Sequence, residues 1–239
     1  DILGHIKTER LGWYENVADT TEIVFHPINT SLNGDMPLFG VYDLEVTALA
    51  TLDMDNDEDL DVFIGKRISY ADTTFFSWGF QLEYNYKYVL EWLENDGSKN
   101  FGVLQNIDEG QEINDIRATD VNGDGFQDLI TTSTSNKMIT WYENNGTGGF
   151  YPPKLIYDLA KNINDIEVGD IDLDGNIDIV AGLGFGGNRV MWFKNDGLGN
   201  FGEPITISNE VDEVLDIALA DLDNDNRIDV ISLTNGDKK

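Results

Sequence analysis

Four nine-residue segments repeat one arrangement of acids, and no other feature narrows the fold of this 239-residue chain as much. They are Asp53–Asp61 (DMDNDEDLD), Asp120–Asp128 (DVNGDGFQD), Asp170–Asp178 (DIDLDGNID) and Asp221–Asp229 (DLDNDNRID). Each has Asp or Asn at positions 1, 3 and 5 and Asp at position 9. The last three begin 50 and 51 residues apart, whereas 67 separate the first two, which predicts an insertion. A second pattern keeps the same period: Trp13-Tyr14-Glu15-Asn16, Trp92-Leu93-Glu94-Asn95, Trp141-Tyr142-Glu143-Asn144 and Trp192-Phe193-Lys194-Asn195. The last three run through Asp-Gly or Asn-Gly to Phe101, Phe150 and Phe201. Two unrelated patterns in one phase make this a repeat chain.

The third copy shows what one repeat folds into. Ile163–Gly169 alternates apolar and polar residues with a phase slip and enters the acidic loop, and Ile179–Gly182 leaves it as a buried strand. A Gly-rich turn, Gly184–Asn188, leads to the aromatic strand Arg189–Asn195. The turn Asp196–Asn200 carries the Asp-Gly pair that tight hairpins need, and Glu203–Ser208 closes the unit. Four short strands in about 50 residues, without helical periodicity, describe an all-β chain of four-stranded propeller blades.

Acids this dense repel one another by about 4 kcal/mol per pair at 4 Å and an effective dielectric near 20. A hard cation relieves that, and alternation at positions 1, 3 and 5 turns those side chains toward one centre. A main-chain carbonyl at position 7 and the Asp at position 9 would complete six or seven oxygens, the number calcium takes. The predicted ligand sets are Asp53, Asp55, Asp57, Asp59 and Asp61; Asp120, Asn122, Asp124, Phe126 and Asp128; Asp170, Asp172, Asp174, Asn176 and Asp178; and Asp221, Asp223, Asp225, Arg227 and Asp229. That allows up to four structural Ca2+ ions. An EF-hand is rejected, because position 12 is Ile64, Thr131, Ala181 or Ser232 rather than Glu, and the flanks read as strands. Position 6 is Gly125 or Gly175 in the middle copies and Asn226 in the last. The first copy departs most, with Glu58 in place of glycine and Asp59 adding charge.

The acidic loops, the apolar strands after them and the Trp hairpin resemble the FG-GAP/VCBS-type repeats of β-propellers, relatives of the calcium-bearing blades of integrin α-subunit heads. The Phe-Gly element stands at Phe101-Gly102 and Phe201-Gly202; the Gly-Ala-Pro element is missing, so the resemblance is to the bacterial VCBS style. It implies a structural ion between a blade's first and second strands. It further implies a secreted or cell-surface protein serving adhesion, glycan binding or an accessory role beside an enzyme. Residues 1–239 are read as one propeller domain or propeller fragment with four blade equivalents. Three blades fall at about 44–108, 113–157 and 163–208, and a split one pairs about 213–234 with about 6–28. The chain either closes as a four-blade ring or forms part of a larger propeller, and the second reading is preferred.

The insertion lies at 67–90. Within it Phe76, Trp78, Phe80, Tyr84, Tyr86 and Tyr88 alternate with mostly polar residues, so they share one face of a long ribbon. That face either packs on a neighbouring blade or offers rings to a protein or glycan partner. The repeated Trp residues are expected in the core between blades rather than as sugar platforms.

With 15 Lys and Arg against 45 Asp and Glu, the net charge is −30, which repels nucleic acid. No apolar run is long enough to span a membrane, and the first residues do not read as a signal peptide, so one is expected to have been removed or left out. There is no cysteine, and His5 and His26 fit no catalytic spacing, so no enzymatic activity is expected. The expected partner is a protein or a glycan at the cell surface.

Overall fold

In the computed structural model, residues 12–16, 23–28, 41–76, 79–98, 100–158 and 161–235 are described. The strands β1 (Gly12–Asn16) and β2 (Ile23–Pro27) form a two-stranded sheet. Three four-stranded antiparallel sheets follow. The first is β3 (Val41–Leu52), β4 (Asp61–Phe76), β5 (Gly79–Leu93) and β6 (Gln105–Glu109). The second is β7 (Asp115–Thr119), β8 (Asp128–Ser133), β9 (Met138–Tyr142) and β10 (Lys154–Asp158). The third is β11 (Ile163–Gly169), β12 (Asp178–Leu183), β13 (Arg189–Phe193) and β14 (Ile205–Ser208). A last two-stranded sheet holds β15 (Val214–Ala220) and β16 (Asp229–Thr234). Each four-stranded sheet is a meander in chain order, as a propeller blade is. No helix among the described residues is long and apolar enough to cross a membrane.

Second strands are central in their sheets and sandwiched between neighbouring sheets, which is why β8 (DLITTS) and β12 (DIVAGL) are buried at every residue. First strands line up side by side, β3 next to β7, β7 next to β11 and β11 next to β15. The phase slip in Ile163–Gly169 is a bulge between Ile163 and Asp165. Bulges recur at the same place in β3 and β15. An extra residue there bends the strand and re-aims the side chains beyond it.

The core is layered between the sheets. Leu52, Phe63, Leu90 and Trp92 of the first blade bury against Ile116, Leu129 and Tyr142 of the second. Trp141 and Ile130 of the second meet Ile163, Ile179 and Phe193 of the third. Val180 and Val190 of the third meet Val214 and Ile217. On the other side of the first blade, Ile28 packs on Leu44, Ile64 and Val89. Trp92 and Trp141 are therefore core residues, as their repetition suggested, and Trp192 is half-buried. The halves β1–β2 and β15–β16 form separate sheets among the described residues.

The insertion is a hairpin. β4 and β5 stay paired without a break from Val62↔Leu93 to Phe76↔Gly79. The face that buries Leu90 and Trp92 continues along the ribbon through Tyr88, Tyr86 and Tyr84. Tyr88 is half-buried, but Tyr84 and Tyr86 are 59% and 57% exposed, so they do not pack on a neighbouring blade. Arg67 lies 5.4 Å from the centre of the Tyr86 ring and pairs with Glu45. Trp78 lies outside the described residues, and Phe76 and Phe80 are described by backbone alone.

Candidate metal loops and the hairpins that hold them

Each acidic segment joins the first and second strands of a blade, at the end opposite the β4–β5 turn. All four adopt one backbone. Position 4 has positive φ in every copy (Asn56 64°, Gly123 72°, Leu173 61°, Asn224 62°), and so does position 6 (Glu58 73°, Gly125 92°, Gly175 90°, Asn226 65°). Glycine takes this conformation freely and Asn tolerates it, but Glu58 and Leu173 are held there at a cost of about 1–2 kcal/mol each. The first loop thus folds like its siblings in spite of its sequence.

That backbone aims amides at the acids. Asp53 accepts the N–H of Asp57 at 3.1 Å and of Glu58 at 3.0 Å. Asp170 does the same for Asp174 and Gly175, and Asp221 for Asp225 and Asn226. Position 5 accepts the position-7 amide in each loop: Asp57 from Asp59, Asp124 from Phe126, Asp174 from Asn176 and Asp225 from Arg227. Three triads converge, Asp53/Asp55/Asp57, Asp170/Asp172/Asp174 and Asp221/Asp223/Asp225, each with oxygens within 4.8 Å of one another. The second loop has Asp120 and Asp124 with Asn122 between them, and Asn122 Nδ2 donates to Asp124 at 3.0 Å and to Glu143 at 3.3 Å.

Position 7 turns its side chain elsewhere. Asp59, Phe126 and Asn176 lie over the hairpin glycines Gly97, Gly146 and Gly197, so closely that a Cβ on any of the three would collide with them. Arg227 is exposed.

Position 9 does structural work. Asp61, Asp128 and Asp178 are buried and Asp229 is half-buried. Asp128 accepts the Val121 N–H at 3.1 Å and the Asn144 N–H at 2.7 Å. Asp61 bonds Met54 and Asn95 in the same way, Asp178 bonds Ile171 and Asn195, and Asp229 bonds Leu222. Burial raises Asp61 and Asp128 to about 6, against the pull of those amides. These carboxylates brace the loop by accepting its main-chain amides.

The Asn of the Trp hairpin in the second and third blades links this brace to the preceding blade. Asn144 Nδ2 donates to Gln127 O of its own loop and to Met54 O of the first blade's loop. Asn195 repeats this with Ile177 O at 2.9 Å and Val121 O of the second blade's loop at 2.7 Å. Asn95, Asn144 and Asn195 also form bridges to Phe101, Phe150 and Phe201.

The donors are oxygens, which suits a hard divalent cation. In the first loop Asp55 Oδ1 is buried without a hydrogen-bond partner, and burial followed by the charges of Asp57 and Asp53 raises its pKa. A cation among the triad would satisfy that oxygen. In the third loop the ammonium of Lys194 already bonds Asp172 and lies 2.9 Å from Asp174.

Two features escape a reading of the acidic loops alone. One is Lys194, which shares a repeat position with Glu94 and Glu143. The other is an Asp five residues before each of the last three loops: Asp115, Asp165 and Asp216. Asp165 accepts the Ile217 N–H of the next first strand at 2.6 Å, and Arg117 reaches Asp165 at 3.1 Å and Glu167 at 3.3 Å while bonding Asp115. The recurrence of Asp-Ile at that offset was the available signal.

Meandering four-stranded sheets packed face to face, with a braced acidic loop after each first strand, define a β-propeller repeat module. A family model of FG-GAP-like repeats matches residues 120–181 and again 170–232. Residues 120–232 are therefore FG-GAP-like repeats. No curated protein matches it. Among solved structures it is similar to an Agrocybe aegerita lectin described as recognising non-reducing terminal N-acetylglucosamine. That likeness has 13% identity over 85% of this chain and 81% of that one, with a TM-score of 0.28, too low to carry an argument.

Proposed function

We propose that this chain is a non-catalytic binding module, secreted or displayed on a cell surface, whose loops are held by structural calcium. The observation that carries the reading is the convergence of three carboxylates within 4.8 Å in three loops that share one backbone. When bound, the ion supplies positive charge to the triad. The chain's own residues do the rest: positions 1, 3 and 5 present oxygens, and position 9 and the hairpin Asn hold the loop in shape.

The test is a melting curve in EDTA and again with calcium restored. Each site filled at one hundred times its Kd adds about 2.7 kcal/mol, or roughly 5–10 °C for a chain of this size. Chelation lowers the melting temperature and calcium restores it; identical curves reject the reading.

The ribbon of the first blade is the proposed contact surface, for a protein partner in adhesion or, as a second reading, for a glycan. The exposed rings of Tyr84 and Tyr86 favour both, since flat rings anchor interfaces and stack on sugars. A glycan array and a partner pull-down, each run with Tyr86→Ala, separate the two.

A further inference from the structure

In the second and third blades the residue two positions after the repeated Trp reaches the acidic loop of its own blade, and its charge changes sign between them. In the second blade it is Glu143, whose carboxylate accepts from Asn122 beside Asp120 and Asp124. In the third it is Lys194, whose ammonium bonds Asp172 and lies 2.9 Å from Asp174. These are two of the three carboxylates that converge in that loop.

We propose that Lys194 is a tethered counter-ion that closes the third loop without a metal, so that this blade takes a divalent cation more weakly than its neighbours. The inference rests on reading the loops as cation sites. Without the lysine, three carboxylates face one point, and only an external cation can offset their repulsion. With it, an entering cation must displace the ammonium or share the site with a like charge. The pair is partly exposed, with the Lys194 side chain 41% accessible and Asp172 and Asp174 30% and 31%, so water screens the competition and binding is weakened rather than abolished. Asn195, the next residue, ties this hairpin to the second blade's loop through Val121 O. The third blade therefore keeps its shape, and its grip on its neighbour, when calcium is scarce.

The experiment uses the whole chain. Calcium is titrated calorimetrically, and terbium is titrated by luminescence excited through the tryptophans, for the wild type, Lys194→Gln, Lys194→Glu and Lys194→Gln with Asp172→Asn. Both single variants are expected to add one site or tighten one by about tenfold or more, since one positive charge leaves a divalent site. The added Asp172→Asn removes the gain, and EDTA lowers the melting temperature of Lys194→Gln more than that of the wild type. If the wild type binds calcium and both single variants titrate identically to it, the inference is overturned and the cation reading stands. If no protein binds either ion, both fall.

Discussion

Asn195→Ala tests whether the blades are held in register by the hairpin Asn. The side chain is fully buried and makes four hydrogen bonds. It donates to Val121 O at 2.7 Å and Ile177 O at 2.9 Å, and accepts from the amides of Gly197 and Gly199, both at 3.1 Å. Alanine removes all four. At about 1 kcal/mol per bond, with the buried Val121 carbonyl left without this donor, the loss is about 3–5 kcal/mol. At roughly 2–4 °C per kcal/mol for a chain of this length, that lowers the melting temperature by about 10 °C. Asn200→Ala is the control: its amide bonds only the exposed Asp196 carboxylate among described partners, at 2.9 Å, and its loss costs under about 1 kcal/mol. Denaturant unfolding measures both. Because one bond crosses to the second blade, hydrogen exchange should also quicken in residues 120–128, outside the mutated blade. Equal costs for the two variants, or faster exchange confined to the third blade, would refute the reasoning.

Other expectations follow from single sites. Gly199 has φ of 75° and lies against the Trp141 ring, whereas Gly186, with φ of 77°, faces open space. Gly199→Ala is therefore expected to cost about 2–4 kcal/mol and Gly186→Ala about 1, measured by thermal unfolding. Burial is the largest influence on Asp165; the Ile217 amide opposes it, the nearby Asp115 adds to it, and the outcome is a pKa raised to about 7. A carboxyl whose native pKa lies above its unfolded value contributes stability that is complete below about 4 and disappears as pH rises through about 7. With cations chelated, stability should fall between pH 5 and pH 8, and Asp165→Asn should flatten that slope. Tyr84→Ala and Tyr86→Ala should each change stability by less than about 0.5 kcal/mol, because the rings are exposed; a larger loss would mean that the ribbon is bound into the fold.

What could be read from the sequence was whatever repeats within one strand or loop. Alternation of acids at positions 1, 3 and 5 predicted convergent side chains, and period-2 aromatics predicted the ribbon. Position 9 was harder, because a ligand and an acceptor for amides both call for Asp; its burial comes from the packing of blade on blade. Lys194 was invisible for a related reason, since its reach from the end of β13 to the loop depends on how two strands register. The common period of the two patterns, by contrast, has a direct cause. The hairpin Asn offers its amide N–H to the position-9 Asp and its side chain to the carbonyl before that Asp, in all three blades. Neither residue can shift along the chain without orphaning the other, whereas the connections between them can lengthen freely. That is why an insertion at 67–90 stretches one interval to 67 residues and leaves both ends of the brace intact.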